Sequence, residues 1–280
     1  MKIAVTTASG QLGRAIVEEA AAQLGKENII GIARRPDKCA DLGVEIRKGD
    51  YNNADDFVTA FQGVEVALVV SSFAVPEERI GQHRNVIAGA KEAGVRKIIY
   101  TSIFGHEGKC AFDVIIKSNR QTEEDVKASG LDWIIGRNGL YIEPDFESIP
   151  DYRKAGKIAN CGGDGKCAYT SRTELAFVYA HLMVDDTHNG SIYNLCGAPV
   201  TQQELVEVIN SVFGESLIYE SMSVEDYVQD RINAHGEFLG KIIGGIYQGI
   251  REGAFDIPSD FKEAAGSEHL TLREMAEQFK

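Results

Sequence analysis

The stretch Lys2-Ile3-Ala4-Val5-Thr6-Thr7-Ala8-Ser9-Gly10-Gln11-Leu12-Gly13 decides the fold. Its first half, Lys2–Thr7, is a short apolar run with the character of a strand buried on both faces. The adjoining segment, Gln11–Leu24, has helical period, with Leu12, Ile16, Ala20 and Leu24 on one face. A strand that runs straight into a helix through such a turn leaves backbone N–H groups unpaired at the helix N-terminus. Those donors and the helix dipole suit a pyrophosphate. Gly10 permits close backbone approach, and Gly13 permits the helix to pack against the strand. The loop Thr6, Thr7, Ala8, Ser9, Gly10, Gln11 and Leu12 is therefore the expected phosphate cradle of a dinucleotide.

Five further apolar runs lie downstream: Asn28–Ala33, Val44–Gly49, Val64–Ser71, Arg96–Ser102 and Leu131–Arg137. Amphipathic stretches separate them, among them Ala54–Phe61 and Glu77–Ala93. This alternation predicts an α/β fold of Rossmann type, a doubly wound parallel sheet with helices on both faces. After Tyr141 the alternation stops. Residues 143–165 are rich in Pro, Gly and Asp and read as loops with short elements. Thr173–Val184 returns to helix period, and Ser191–Leu195 reads as a strand. Thr201-Gln202-Gln203-Glu204 has capping-box spacing and opens a helix to Phe213, with another strand at Leu217–Glu220. The expected organisation is a dinucleotide-binding core over 1–142. Residues 143–280 would complete the sheet and form a small α/β C-terminal substrate lobe.

The ends of the strands point to the cofactor. At the end of the second strand an acidic residue would favour NAD, whereas an Arg accommodates the 2′-phosphate of NADP. Arg34 stands there, beside Arg35, so NADP(H) is expected. Asp50 follows the third strand, where the adenine edge would lie, although it equally suits the N-cap of the next helix. Ser71, Ser72 and Phe73 follow the fourth, at the place for the pyrophosphate and nicotinamide ribose.

The motifs TTASGQLGRAIVEEA, IARRPDK, GVEIRKGDY, QHRNVIAGAKEAGVRKIIYTS and SGLDWIIGRNGLY resemble the NmrA-like branch of the atypical short-chain dehydrogenases/reductases. Within it the likeness is to bacterial quinone- and dye-reducing members. The resemblance spans Met1 to about Gly214 and is looser beyond. It implies that Asn138, Gly139, Leu140 and Tyr141 flank the nicotinamide end. It also implies an NADPH-dependent reductase that transfers hydride to a quinone or similar conjugated electrophile. The branch also contains NADP(H)-binding redox sensors that do not turn the cofactor over. Two departures stand out. The family loop reads Thr-Gly-Ala-Thr-Gly, and Thr7 replaces its first glycine; a β-branched residue resists positive φ. Either the turn tolerates Thr7 or cofactor affinity is reduced. Secondly, Asn119 and Glu124 stand where related reductases carry His and Lys.

No Tyr-x-x-x-Lys pair follows the fifth strand, which disfavours alcohol–ketone chemistry. A conjugated acceptor takes hydride directly and needs positioning and exclusion of water more than an acid. Ser102 could bond a substrate oxygen, Lys117 is the nearest cation, and Tyr141 offers a ring and a hydroxyl; Lys117 and Tyr141 are the catalytic candidates. Cys161 and Cys167 lack a zinc spacing, and the six histidines show no paired motif, so no metal is expected. The glycines of Phe238–Ile250 suit either a flexible pocket wall or close helix packing. The net charge is −13, with 15 acidic and 6 basic residues in 201–280, which disfavours nucleic acid. Five cysteines and no signal segment or long apolar run suggest a cytoplasmic protein with free thiols and no membrane contact. A homo-oligomer is compatible with all of this.

Overall fold

A computed structural model describes all 280 residues. Seven parallel strands form its central sheet: β1 (Ile3–Val5), β2 (Ile29–Ala33), β3 (Glu45–Lys48), β4 (Val66–Val70), β5 (Lys97–Ile103), β6 (Asp132–Asn138) and, from the second half of the chain, β10 (Ser191–Leu195). Their order is β10-β6-β5-β4-β1-β2-β3. The order reverses between β1 and β4, so a crevice opens at their carboxyl ends, where ligands of such sheets bind. Strands β1, β2 and β4 are buried at every residue. Strand β3 departs from the expected fully buried run. It is an edge strand, and Arg47 and Lys48 charge an edge that would otherwise invite pairing.

Side chains alternate across the sheet. Ile3 and Val5 pack against α1 (Gln11–Leu24) and α7 (Arg172–Val184), with Ile16, Leu175 and Tyr179. Ala4 lies in the opposite layer with Phe57 of α2 (Ala54–Ala60), Val86 of α3 (Pro76–Glu92) and Val126 of α4 (Asp113–Lys127).

A third core lies above the crevice. Short elements build it: β7 (Leu140–Tyr141), α5 (Glu143–Glu147), α6 (Ile149–Ala155), β8 (Lys157–Asn160) and β9 (Lys166–Thr170). They are joined by β11 (Pro199–Thr201), α8 (Gln202–Phe213), β12 (Ile218–Ser221), α9 (Val224–His235) and α10 (Glu237–Arg251). Two last helices, α11 (Phe261–Ala265) and α12 (Leu272–Phe279), close the chain. The capping box at Thr201 and Glu204 forms with both of its hydrogen bonds.

Where β6 meets α7, the backbone is locked by a glycine. A Cβ on Gly136 would lie 2.2 Å from Tyr179 Oη and 2.7 Å from Leu195 Cδ1. Tyr179 needs that space, because its buried hydroxyl donates to Asn138 Oδ1 at 2.6 Å. Gly136→Ala should lower the unfolding free energy by about 1–3 kcal/mol in urea denaturation, as overpacking of a tight core does; an unchanged midpoint would show that Tyr179 can move freely.

Candidate functional site

The loop expected to hold the phosphate is built by backbone geometry. Thr6 closes β1 inside the sheet: its Oγ1 accepts from the Val70 amide at 2.9 Å and from Tyr51 Oη at 2.7 Å. The chain then turns at Thr7, the one non-glycine residue with positive φ, at 52°. The departure from the family loop is therefore a real left-handed turn, occupied by a β-branched residue. The Thr7 carbonyl accepts from Gly10 N at 2.7 Å. Gly13 lies so close that a Cβ there would be 2.3 Å from the Thr7 oxygen. No side chain caps α1 and no acid occupies its first turn. The amides of Gln11, Leu12 and Gly13 make no backbone hydrogen bond and remain free for an anion.

At the end of β2, Arg34 and Arg35 are exposed, and neither guanidinium has a hydrogen-bond or ion-pair partner. Neighbouring Arg14 is already held by Asp41 at 2.8 and 3.1 Å. Asp50 does not cap α2. That role falls to Asn53, whose side chain accepts from Asp55 N. Asp50 Oδ1 instead accepts from the Asn52 backbone and side chain at 3.0 and 3.1 Å.

The end of β4 enters a polar floor. Ser71 Oγ and Tyr100 Oη both donate to Asn119 Oδ1, at 2.9 and 2.7 Å. The Ser72 amide donates to His83 Nε2 at 2.9 Å, which leaves the proton on Nδ1 to bond Thr122 Oγ1. Burial, aided by the charge of Arg79, pushes His83 down to about 3, so it stays neutral and holds the strand end in place. Ser72 Oγ and Arg79 Nε are buried without a partner beside this floor. Arg79 is 7 % exposed and makes no ion pair; its Nη2 donates to Ala74 O at 3.2 Å. These orphaned groups, the free amides of α1 and the unpaired arginines fit a nucleotide phosphate and ribose. No sequence motif singles out His83 or Arg79, although both stand in a helix that begins directly after the strand end.

One cleft of about 620 Å³ joins this floor to the upper core. Ser71, Ser72, Phe73, Asn138, Gly139, Leu140 and Tyr141 all line it, so the structure brings these sequence candidates together. Phe73 lies at its edge, 80 % exposed. Tyr141 sits under the Arg172 guanidinium, 5.5 Å from its ring centroid, and its Oη accepts from Asn138 Nδ2 at 3.4 Å. Burial raises its pKa, so the phenol keeps its proton.

The other two hydroxyl and ammonium candidates are placed differently. Lys117 is not among the lining residues. Its ammonium is exposed on α4 and paired with Asp113 at 2.6 Å, which raises its pKa. This corrects the expectation that it reaches a substrate: the helical period turns position 117 to solvent. Ser102 does line the cleft, but its hydroxyl proton is committed to Glu123 Oε1 at 2.6 Å. Burial alone would push Glu123 up, yet Arg137 and Arg120 hold it net below its usual range.

Asp145 is the opposite case. It is 5 % exposed, faces the cleft and has no cationic partner. Its Oδ1 accepts from Tyr152 at 3.0 Å and Tyr247 at 3.4 Å. Burial drives its pKa up to about 6 against those two bonds. No sequence motif announces it, because its tyrosines come from α6 and α10. The glycines of α10 serve close packing: Cβ atoms on Gly244 and Gly249 would meet Val228 and Phe255 at 2.6 Å. Ile242, Ile243 and Ile246 of the same helix wall the cleft. All five cysteines are free, and burial raises Cys161 to about 11. No helix is long and apolar enough to cross a membrane.

Comparisons with known proteins agree with this geometry. The NAD(P)H-binding family model matches residues 7–185. Quinone oxidoreductase 2 of Escherichia coli (strain K12) is 33% identical over 229 residues, 80% of this chain and 79% of that protein. The crystal structure of the E. coli NADPH-dependent quinone oxidoreductase with NADPH superposes with a TM-score of 0.89 at 29% identity, covering 99% of each chain. Citrobacter sp. triphenylmethane reductase complexed with NADP(H) gives 0.89 at 30% identity, again over 99% of each.

Two variants test the loop and the arginine. Thr7→Gly removes a left-handed β-branched residue, which costs about 1–2 kcal/mol, against roughly 0.5–1 kcal/mol of glycine chain entropy. It should leave the protein as stable or up to about 1.5 kcal/mol more stable in urea titration; a clear loss would mean that the Thr7 side chain supports the turn. Arg34→Glu should cut the preference for NADP over NAD by about tenfold or more, as loss of a charge-assisted contact of about 1.5–3 kcal/mol requires. Equal losses for both cofactors in a fluorescence titration would exclude Arg34 as the discriminator. The chain belongs to the NAD(P)H-binding family, in its NmrA-like branch of the atypical short-chain dehydrogenases/reductases.

Proposed function

We propose that this protein is an NADP(H)-dependent reductase of flat, conjugated electrophiles of the quinone type. The observation that carries the reading is the cleft itself. It is walled by isoleucines and aromatic rings, it borders the cofactor-side strand ends, and it contains one uncompensated carboxyl, Asp145. The relatives named for quinone and triphenylmethane reduction support the same acceptor class.

In this reading the loop Thr6–Leu12 holds the pyrophosphate, and Arg34 takes the 2′-phosphate with Arg35 beside it. Asp50 lies at the adenine edge, Ser71, Ser72 and Phe73 border the nicotinamide ribose, and Asn138–Tyr141 flank the ring. Bound NADPH supplies a hydride, which carries two electrons and one hydrogen. A quinone also needs one proton to become a hydroquinone. Asp145 Oδ2 accepts no hydrogen bond from the protein and is free to carry that proton to an acceptor oxygen, recovering it from water. Tyr152 and Tyr247 hold the other carboxyl oxygen. The Tyr141 ring positions the reactants, and Ile242, Ile243 and Ile246 exclude water.

The reading is tested by NADPH oxidation at 340 nm against quinones, carbonyls and dyes. Turnover confined to the conjugated acceptors is expected; saturable NADPH binding with no turnover would favour the redox-sensor alternative. Asp145→Asn should slow turnover by about 10²–10⁴-fold with NADPH affinity unchanged. Because burial raises Asp145 to about 6, its acid form is present below that pH. Wild-type turnover should therefore fall as pH rises through about 6, and the variant should lose this limb. A protonated-carboxyl infrared band of the cofactor-free protein should fade over the same range and be missing in Asp145→Asn. Tyr141→Phe and Lys117→Ala should change turnover little, and Tyr141→Ala more; if Tyr141→Phe abolishes turnover instead, the proton comes from that phenol.

A further inference from the structure

The sheet's far edge carries a second cluster of reactive side chains, on the stretch from the end of α7 to β10. His181, Asp185 and His188 each bring one donor atom within 4.8 Å of the other two. His181 stands in the last turn of α7, and Asp185 caps its C-terminus one turn later. A single 3₁₀ turn, Asp186–His188, then folds His188 back over the same face. Asp185 Oδ2 lies 3.9 Å from His181 Nε2 and 3.6 Å from His188 Nε2.

In Asp185 and His188 the atoms that do not face the cluster are already engaged. Asp185 Oδ1 accepts from Thr187 N at 2.8 Å and from Thr187 Oγ1 at 2.6 Å, which leaves Oδ2 free. His188 Nδ1 bonds Tyr193 Oη at 2.7 Å, which turns Nε2 inward. Outer partners of this kind orient the ligands in metal sites. The backbone beneath is tied to the sheet. Fully buried Lys97 donates to the Asp185 carbonyl at 3.2 Å and to Leu182 O at 3.0 Å. The neighbouring charge of Asp186 is spent on Lys97 and Arg96, so the cluster keeps one carboxylate for two imidazoles.

We propose that His181 Nε2, Asp185 Oδ2 and His188 Nε2 bind one divalent ion of the zinc class, with water in the open position. Two imidazoles and a carboxylate suit zinc and its first-row neighbours and disfavour magnesium or calcium, which prefer all-oxygen shells. Ligands at 2.0–2.1 Å from a tetrahedral ion stand about 3.3 Å apart; the carboxylate lies 3.9 and 3.6 Å from the two imidazole nitrogens, and all three donors lie within 4.8 Å, so rotation of the half-exposed His181 ring toward its partners completes the site. The sequence shows no paired histidine motif because the spacing 181, 185, 188 crosses a helix end. Only the 3₁₀ turn makes these positions neighbours. The ion would tie the end of α7 to the 3₁₀ turn that leads into β10, the sheet's outer strand, and none of its three ligands lines the cleft.

The experiment is a titration of untagged, metal-stripped protein with Zn²⁺ by calorimetry and with Co²⁺ by visible absorption. One ion per chain is expected, with a dissociation constant at or below the micromolar range and four- or five-coordinate cobalt bands. His181→Ala and His188→Ala should each weaken binding at least tenfold, Tyr193→Phe by less, and His106→Gln not at all. Unfolding of the wild type should shift to higher temperature with Zn²⁺, and that of His188→Ala should not; circular dichroism without metal checks that each variant folds. Absence of binding at 100 µM Zn²⁺, or binding that survives loss of either histidine, would overturn the proposal.

Discussion

The contact on which this architecture depends is the one between Gly13 and the carbonyl of Thr7. The first helix can begin directly above the first strand only because no Cβ separates them, with a hypothetical one 2.3 Å from the Thr7 oxygen. That closeness aims the first-turn amides of α1 out of the sheet's carboxyl edge. It also demands a left-handed residue at position 7, which this chain meets with threonine rather than glycine. The strain is tolerated because neighbouring bonds over-determine the turn: Ala8 N to Ile32 O at 2.9 Å and Gly10 N to Thr7 O at 2.7 Å.

The two buried carboxyls near the cleft show how environment divides one chemical group into two roles. Glu123 is surrounded by Arg120, Arg137 and Ser102 and stays ionised; it braces β5 against β6 and α4. Asp145 has only tyrosine hydroxyls and apolar walls, so its neutral form is favoured. In the proposed reductase reading, a protein that lacks the tyrosine–lysine pair of alcohol dehydrogenation would draw its proton from Asp145. Its position on the upper core, and not on the sheet, leaves the sheet free to hold the nucleotide.

Polar order beneath the cleft is achieved without charge. His83 is neutral, and its two ring nitrogens link the Ser72 amide to Thr122. Asn119 gathers Ser71 and Tyr100. These bonds set the direction of the chain after β4, so that exposed Phe73 and buried Arg79 both line the cleft. Asn138 plays the same part at the end of β6, held by Tyr179 and reaching to Tyr141.

The alternation of strand and helix, the glycine turn after β1, the helix over Gln11–Leu24 and the capping box at Thr201 were legible in the sequence. Each is local: the signal lies within one or two turns of chain, where periodicity and backbone freedom act. The turn after β1 with its unbonded amides and the exposed arginine pair after β2 were readable for the same reason. Contacts that join distant residues were not. Asp145 meets Tyr247 across 102 positions, and its raised pKa arises from burial that no single segment encodes. Lys117 has a plausible sequence position, but α4 turns it into an ion pair at the surface. His181 and His188 meet only because a helix stops between them. Local propensity determined the sheet and the glycine turn after β1; burial and the convergence of separate elements determined which side chains meet in the cleft.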